Sequence, residues 1–451
     1  MKKIAYILTG VIVLAGCKPR LPIDTPSSGA ADVSVYVAVG NSLTAGYADN
    51  SLYRKGQQNS YPSILATQFA LVGGGDFKQP LLPGEWGYPD AKLVLGMKTN
   101  CAGIASLGPV SYTGWADTVN NAMSIANSGP YNNLGVPGIR TVDYLLNNYA
   151  TLAQTVGNAG YASRFFKQPG KRPLDELIYT VNTLKPTFFT LWLGANDVLG
   201  YATSGGEGAV PGTPVFGLIL PGDISPTDMF QKNYDSVVNV LVKDGARGVL
   251  LNIPDITAIP LFTTVPIKGL ELDAVDAVNL ANLHAAAGLQ FAEGTDYYVV
   301  ADAGAAGGRR KIREGEYILL SSPLTDSIKC GGWGKTKPIP EANYLDAEEV
   351  AHVKTATATF NQVILLAAQK HGLAHVDMNH FLNTVTTGYK FNGAEFTTEY
   401  ISGGAFSLDG VHLTPRGYAI VANEIINAIN LNYGARIPMA DVNSYNGLLF
   451  P

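Results

Sequence analysis

The sequence predicts a parallel α/β sheet covered by helices on both faces. Three observations carry that prediction. Strand-like and helix-like segments alternate from about residue 33 onward. The strand-like segments are continuous apolar runs, as strands buried on both faces are, and not the alternating pattern of a half-exposed sheet. No second alternation pattern and no internal repeat interrupts the chain, so residues 33–451 read as one elaborated domain. Length alone, at about 150 residues per domain, would have suggested three.

The elements follow in order. Residues 33–39 are a β-branched apolar run ending at Gly40 and form the first strand. A helix is expected over 61–71. Residues 72–130 are rich in glycine and proline, lack strong periodicity and read as an insertion. Residues 141–156 and 174–184 have helical spacing. A second buried strand covers 187–193 and is closed by Gly194, and a glycine- and proline-rich loop covers 200–221. A helix over 225–243 leads into a third strand, 248–253, stopped by Pro254, which has no N–H for a ladder. Residues 273–289 read as helix. Residues 297–301 and 316–320 flank Gly307-Gly308 and suggest a hairpin, with a third insertion over 304–343. A long helix over 347–370, a short strand over 374–378 and a last helix over 415–431 complete the pattern.

Composition narrows the function classes. Of 451 residues, 46% are hydrophobic and 10% aromatic, enough for a sizeable core. Only 15% are charged, and 36 acids against 31 bases leave a net charge of −5. No basic block exceeds Arg309-Arg310-Lys311, so the chain lacks the electrostatic footprint of a nucleic-acid binder.

At the N-terminus, Lys2 and Lys3 precede an apolar run over 4–15, then Gly16 and Cys17. The run is shorter than the roughly 20 residues of a membrane-spanning helix but suits the core of a signal peptide. Leu14-Ala15-Gly16-Cys17 resembles the lipobox of bacterial lipoproteins. The resemblance implies removal of residues 1–16, lipidation of Cys17, a tether over 17–32 and anchoring to the cell envelope. Two cysteines then remain. Cys101 and Cys330 can form a disulfide stapling two insertions, or they can be two separate buried thiols; the sequence does not choose.

Four segments carry chemistry, each at a strand end or before a helix, where open α/β sheets hold their ligands. Gly40-Asn41-Ser42-Leu43 follows the first strand and can present a serine hydroxyl together with its own N–H. Asn133-Leu134-Gly135-Val136-Pro137-Gly138 leads toward the 141 helix, and a glycine there lets its N–H point at an anion. Gly194-Ala195-Asn196-Asp197 ends the second strand, with amide donors on Asn196 and a carboxylate on Asp197 suited to bracing the loop. Last, Asp409-Gly410-Val411-His412 precedes Pro415 and the final helix. A spacing of three lets a carboxylate reach the imidazole Nδ1 and leaves Nε2 free as a general base.

As a set and in this order, these segments resemble the SGNH superfamily, also called the GDSL family of esterases and lipases, from Val33 to about Asn432. The resemblance implies a three-layer α/β/α sandwich around a central, mainly parallel, flavodoxin-like sheet. It implies a serine hydrolase that cleaves carboxylic esters through an acyl-enzyme, with an acyl lipid or acylated carbohydrate as substrate and no metal or organic cofactor. Residue by residue, Ser42 is the expected nucleophile, His412 the base and Asp409 its orienter. The Ser42 and Gly138 N–H groups and the Asn196 amide are the expected oxyanion hole. Asn41 stands where the family name would place Asp, a position outside the catalytic quartet.

The same residues admit other readings. A glycan-binding surface lipoprotein could keep this fold without turnover, although such a protein has no use for an Asp-His pair behind a serine. An acyltransferase could use the same site. His371, His375 and Asp377 could suggest a metal, but His371 reads as a cation in the last turn of a helix and His375 as the start of a strand. His284 reads as a packed histidine, and Arg309-Arg310-Lys311 as a solvated hairpin tip. The 23 tyrosines suit a sugar cleft but are equally explained by packing.

Overall fold

The computed structural model describes residues 25–449 except Ala102, Asp117, 156–159, Phe216 and Ser321. The expected signal peptide and Cys17 lie outside the described residues. Five short strands form the central sheet: β1 (Tyr36–Gly40), β2 (Asn133–Gly135), β3 (Phe188–Trp192), β4 (Arg247–Leu251) and β5 (Ala374–Val376). All pair in parallel, in the spatial order β2-β1-β3-β4-β5. The principal helices are α1 (Ser42–Ala45), α2 (Tyr61–Ala70), α3 (Pro173–Leu184), α4 (Asn196–Thr203), α5 (Thr227–Val242), α6 (Ala347–His371) and α7 (Pro415–Tyr433).

Successive strand side chains point to opposite faces, so each strand feeds two cores. Val37, Phe189 and Leu250 join a cluster with Leu177 and Val181 of α3, Phe230 and Val237 of α5, and Phe360 and Ile364 of α6. Ala38, Phe188 and Val249 join the opposite cluster, with Ile64 and Phe69 of α2 and Ile425 and Ile429 of α7. This is the expected three-layer sandwich. The chain steps from β1 outward to β2 and then back across β1 to β3. Between β1 and β3, therefore, lies the switch point at which such sheets hold ligands. The loops bearing Ser42 and Asn196 leave the sheet there.

Several expected elements differ. The helix expected over 141–156 is a short 3-10 turn, Thr141–Leu145, followed by a helix over Tyr149–Thr155. Asn148 sits between them at φ 59°, a left-handed conformation no helix can pass through. The insertion over 72–130 contains an antiparallel hairpin, Leu93–Thr99 with Ala105–Ser111. The hairpin expected between 297–301 and 316–320 does not form. Val299–Ala301 pairs instead with Arg309–Lys311 across the Gly307-Gly308 turn, and Tyr317–Ile318 pairs with Tyr344–Leu345. Arg309-Arg310-Lys311 is thus a strand and no solvated tip: Arg310 is buried, with Asp302 at 2.7 Å and Glu316 at 2.6 Å.

The third insertion also begins earlier than residue 304. Leu270, Leu280, Tyr298, Ile318 and Ile339 form a third, separate core. The helix Ala274–Leu283 shields that core and not the sheet, which its sequence periodicity could not reveal. A disulfide joins Cys101, in the turn of the 93–111 hairpin, to Cys330, 229 positions along the chain, with Cα atoms 6.1 Å apart. It ties the first insertion to the third.

Candidate active site

Ser42 opens α1 directly after β1. Asn41 is the N-cap of that helix: its Oδ1 accepts from the Leu43 N–H at 3.1 Å. An amide oxygen does this as well as a carboxylate, which explains why Asn is accommodated in place of Asp. The hydroxyl of Ser42 donates to Nε2 of His412 at 2.8 Å, and Nδ1 of His412 donates to Oδ2 of Asp409 at 2.9 Å. The residue pair 370 positions apart is joined because α7 returns the C-terminal segment to the end of β1. Thr414 caps α7 through Oγ1 to the Gly417 N–H, and Pro415 fixes its first turn, so the 407–412 loop ends at a defined point.

Asp409 is nearly enclosed, with an 8% exposed side chain. Burial alone would raise its pKa. The facing His412 imidazole, its hydrogen bond and the His412 and Asn50 amides outweigh that penalty and hold the carboxyl well below the ordinary range. Oδ1 accepts from the N–H groups of Val411 and His412, both at 2.8 Å, and from Ser407 Oγ at 3.1 Å. Oδ2 accepts from the Asn50 N–H at 2.9 Å. Tyr47 lies against the imidazole, ring centres 4.6 Å apart.

The opposite side of Ser42 carries the donors. Gly138 adopts φ 78°, which an L side chain rarely tolerates. Neither its N–H nor that of Ser42 is spent on an acceptor among the described residues. Asn196 Nδ2 donates one hydrogen to the Ile139 carbonyl at 3.0 Å, which orients the amide. Asp197, fully buried, accepts from the Thr141 N–H at 2.7 Å. Asn196 and Asp197 thereby tie the loop after β3 to the loop carrying Gly138. Burial pushes the Asp197 carboxyl up to about 6. Ser42, Gly138, Asn196 and His412 line one cavity of about 280 Å³, together with Tyr47 and Tyr161. Such an arrangement can pass a proton from a serine to a base and hold a developing oxyanion beside it.

The expected site residues therefore converge, and the structure adds partners that sequence reasoning missed. Asp49 and Asn50 form a tight turn at φ 53° and 60°, closed by paired hydrogen bonds between Ala48 and Ser51. The turn presents the Asn50 N–H to Asp409. The Asp49 carboxylate accepts from the Leu408 N–H at 3.1 Å and Tyr53 Oη at 2.8 Å. The signal was present, because an Asp-Asn pair tolerates left-handed geometry. Elsewhere, His284 is buried, with Nε2 at 2.8 Å from the Lys335 carbonyl, and is a packed histidine. Asp377 accepts from the His380 N–H as a helix cap. Among the described residues, no three metal-ligating side chains come together. None of the described helices is long and apolar enough to cross a membrane.

No curated protein sequence matches the chain. Among solved structures, the chain is similar to a GDSL-like lipase from Parabacteroides merdae (10% identity, 90% of this chain and 100% of that one, TM-score 0.34). It is also similar to an extracellular lipase from Streptomyces rimosus (12%, 87% and 98%, TM-score 0.34) and to an acetyl xylan esterase (13%, 64% and 92%, TM-score 0.26). The sequence profile of GDSL-like lipases and acylhydrolases matches residues 36–425. The chain belongs to the GDSL-like lipase/acylhydrolase family, and its chemistry is the hydrolysis of ester bonds.

Proposed function

We propose that the protein is a serine esterase that acts through an acyl-enzyme. One observation above all supports this: the unbroken chain Ser42 Oγ to His412 Nε2 and His412 Nδ1 to Asp409, facing two unspent N–H groups and the Asn196 amide. As Oγ attacks the ester carbonyl carbon, its proton passes to Nε2. The carbonyl oxygen becomes an oxyanion held by the Ser42 and Gly138 N–H groups and Asn196. Collapse of this intermediate breaks the carbon–oxygen bond to the alcohol, which leaves with the proton from Nε2. Water repeats the sequence: His412 takes its proton, its oxygen attacks the acyl carbon, and the carboxylic acid departs as Ser42 regains a proton. Asp409 keeps the imidazole in the required tautomer and stabilises its charged form.

The test compares wild type with Ser42→Ala on p-nitrophenyl esters, following p-nitrophenol and the free acid. Turnover in wild type and its loss in the variant is the expected result. Equal rates would overturn the assignment of Ser42. The envelope anchor belongs to the same proposal and rests on Leu14-Ala15-Gly16-Cys17. Cys17→Ser is expected to move the protein out of the membrane fraction.

A further inference from the structure

We propose that a second cavity, beyond the oxyanion donors, is an acyl-chain subsite that makes the enzyme prefer medium-length acyl esters. This rests on the esterase reading above. In the tetrahedral intermediate the reacting carbon bears three groups besides Ser42 Oγ. The oxyanion faces Gly138 and Asn196. The leaving oxygen must lie within reach of Nε2, so the alcohol is directed to the His412 side, toward Tyr47 and Asn50. The acyl chain takes the remaining direction, past Leu199.

A cavity of about 250 Å³ lies there. It shares Gly138, Asn196 and Leu199 with the catalytic cavity and touches neither His412 nor Ser42. Its far walls are mostly apolar, with Leu146, Tyr149 and Leu152 on one side and Leu218 and Ile219 on the other. At about 30 Å³ per heavy atom, the share of one water in the liquid, it has room for about eight atoms of chain.

The wall formed by residues 218–221 is fixed in place. Arg140, two residues after Gly138, donates from Nη1 to the Leu220 carbonyl and from Nη2 to the Ile219 carbonyl, both at 2.8 Å. Asp143 holds the same guanidinium, with Nη2 to Oδ1 at 2.8 Å. Gly200 lets this segment rest directly on α4, because a Cβ there would meet the Pro221 carbonyl oxygen at 2.0 Å. The Asp223 carboxylate closes the loop by accepting from the N–H groups of Ala209 and Leu220. The loop carrying Gly138 and the wall of residues 218–221 are thus one connected unit, and the groove between them does not depend on bound substrate. Another apolar cavity, behind Leu43 and Val411, measures only about 70 Å³ and borders neither Gly138 nor Asn196.

The test is a chain-length series of p-nitrophenyl esters with the full protein. Wild-type kcat/KM is expected to rise about four-fold per buried methylene from acetate toward octanoate, then level off. Leu218→Trp and Leu146→Trp fill the groove from opposite walls. In each, the octanoate-to-acetate ratio of kcat/KM is expected to fall at least ten-fold. That ratio does not depend on how much protein is folded, and the second variant serves if the first fails to fold. A wild-type profile that is flat or falls with chain length overturns the subsite, as does an unchanged ratio in both variants. Wild type that turns over no ester overturns the esterase reading itself, and the subsite falls with it.

Discussion

On the base side of Ser42, one carboxylate bonds the imidazole itself and gathers the turns around it; on the oxyanion side, the candidate donors are two backbone N–H groups and an amide. Asp409 accepts hydrogen bonds from the Val411, His412 and Asn50 amides, from Ser407 and from the imidazole, so one ionised group organises two turns far apart in sequence. The donors opposite are two backbone N–H groups and one amide, positioned by the Gly138 backbone, by Asn196 to Ile139 and by Asp197 to Thr141. The difference follows from the chemistry. A group that must gain and lose a proton needs a fixed counter-charge, whereas an oxyanion forming briefly needs donors that never move.

Breaking each side should therefore cost different amounts. Asp409→Asn is expected to lower kcat on the order of 10⁴-fold, because the neutral amide no longer enforces the tautomer that leaves Nε2 free. Asn196→Ala removes one donor of three and is expected to cost about 10²–10³-fold, with the pH profile of kcat/KM unchanged in shape. Comparable losses in the two variants, measured by steady-state kinetics against a titrated active fraction, would erase the distinction.

A smaller effect concerns stability. Burial raises the Asp49 carboxyl to about 6, against an ordinary 3.8. Between about pH 4 and 6 the folded chain keeps a proton there that the unfolded chain has released, so this group's contribution to stability falls as pH rises through that window. Asp49→Asn removes the dependence. Its stability relative to wild type is expected to rise by up to about 3 kcal/mol from pH 4 to pH 7, read from denaturant unfolding. A difference that does not vary with pH would contradict this account of Asp49.

Sequence made the candidate catalytic residues legible because each sits in a short local pattern: Ser42 at a strand end, Asp409 and His412 three apart, Asn196 after a buried strand. The parallel core was legible for a similar reason, since strands buried on both faces are continuous apolar runs. What escaped acts at long range or through the backbone. The Asn50 contribution is an N–H that every residue but proline has, and only the left-handed turn aims it. Arg140 reads as an ordinary cation, and its two carbonyl partners lie about 80 positions away. The third core escaped because the helix over Ala274–Leu283 shows the same periodicity whether it covers the sheet or Leu270 and Ile339.

The most direct measurement is the site of reaction with a fluorophosphonate, found by mass spectrometry of the digested protein. The account predicts one phosphonyl adduct, on Ser42 and formed with loss of fluoride, absent from Ser42→Ala and formed far more slowly in His412→Ala. An adduct on another serine, or an unmodified Ser42 in protein that hydrolyses esters, would contradict it.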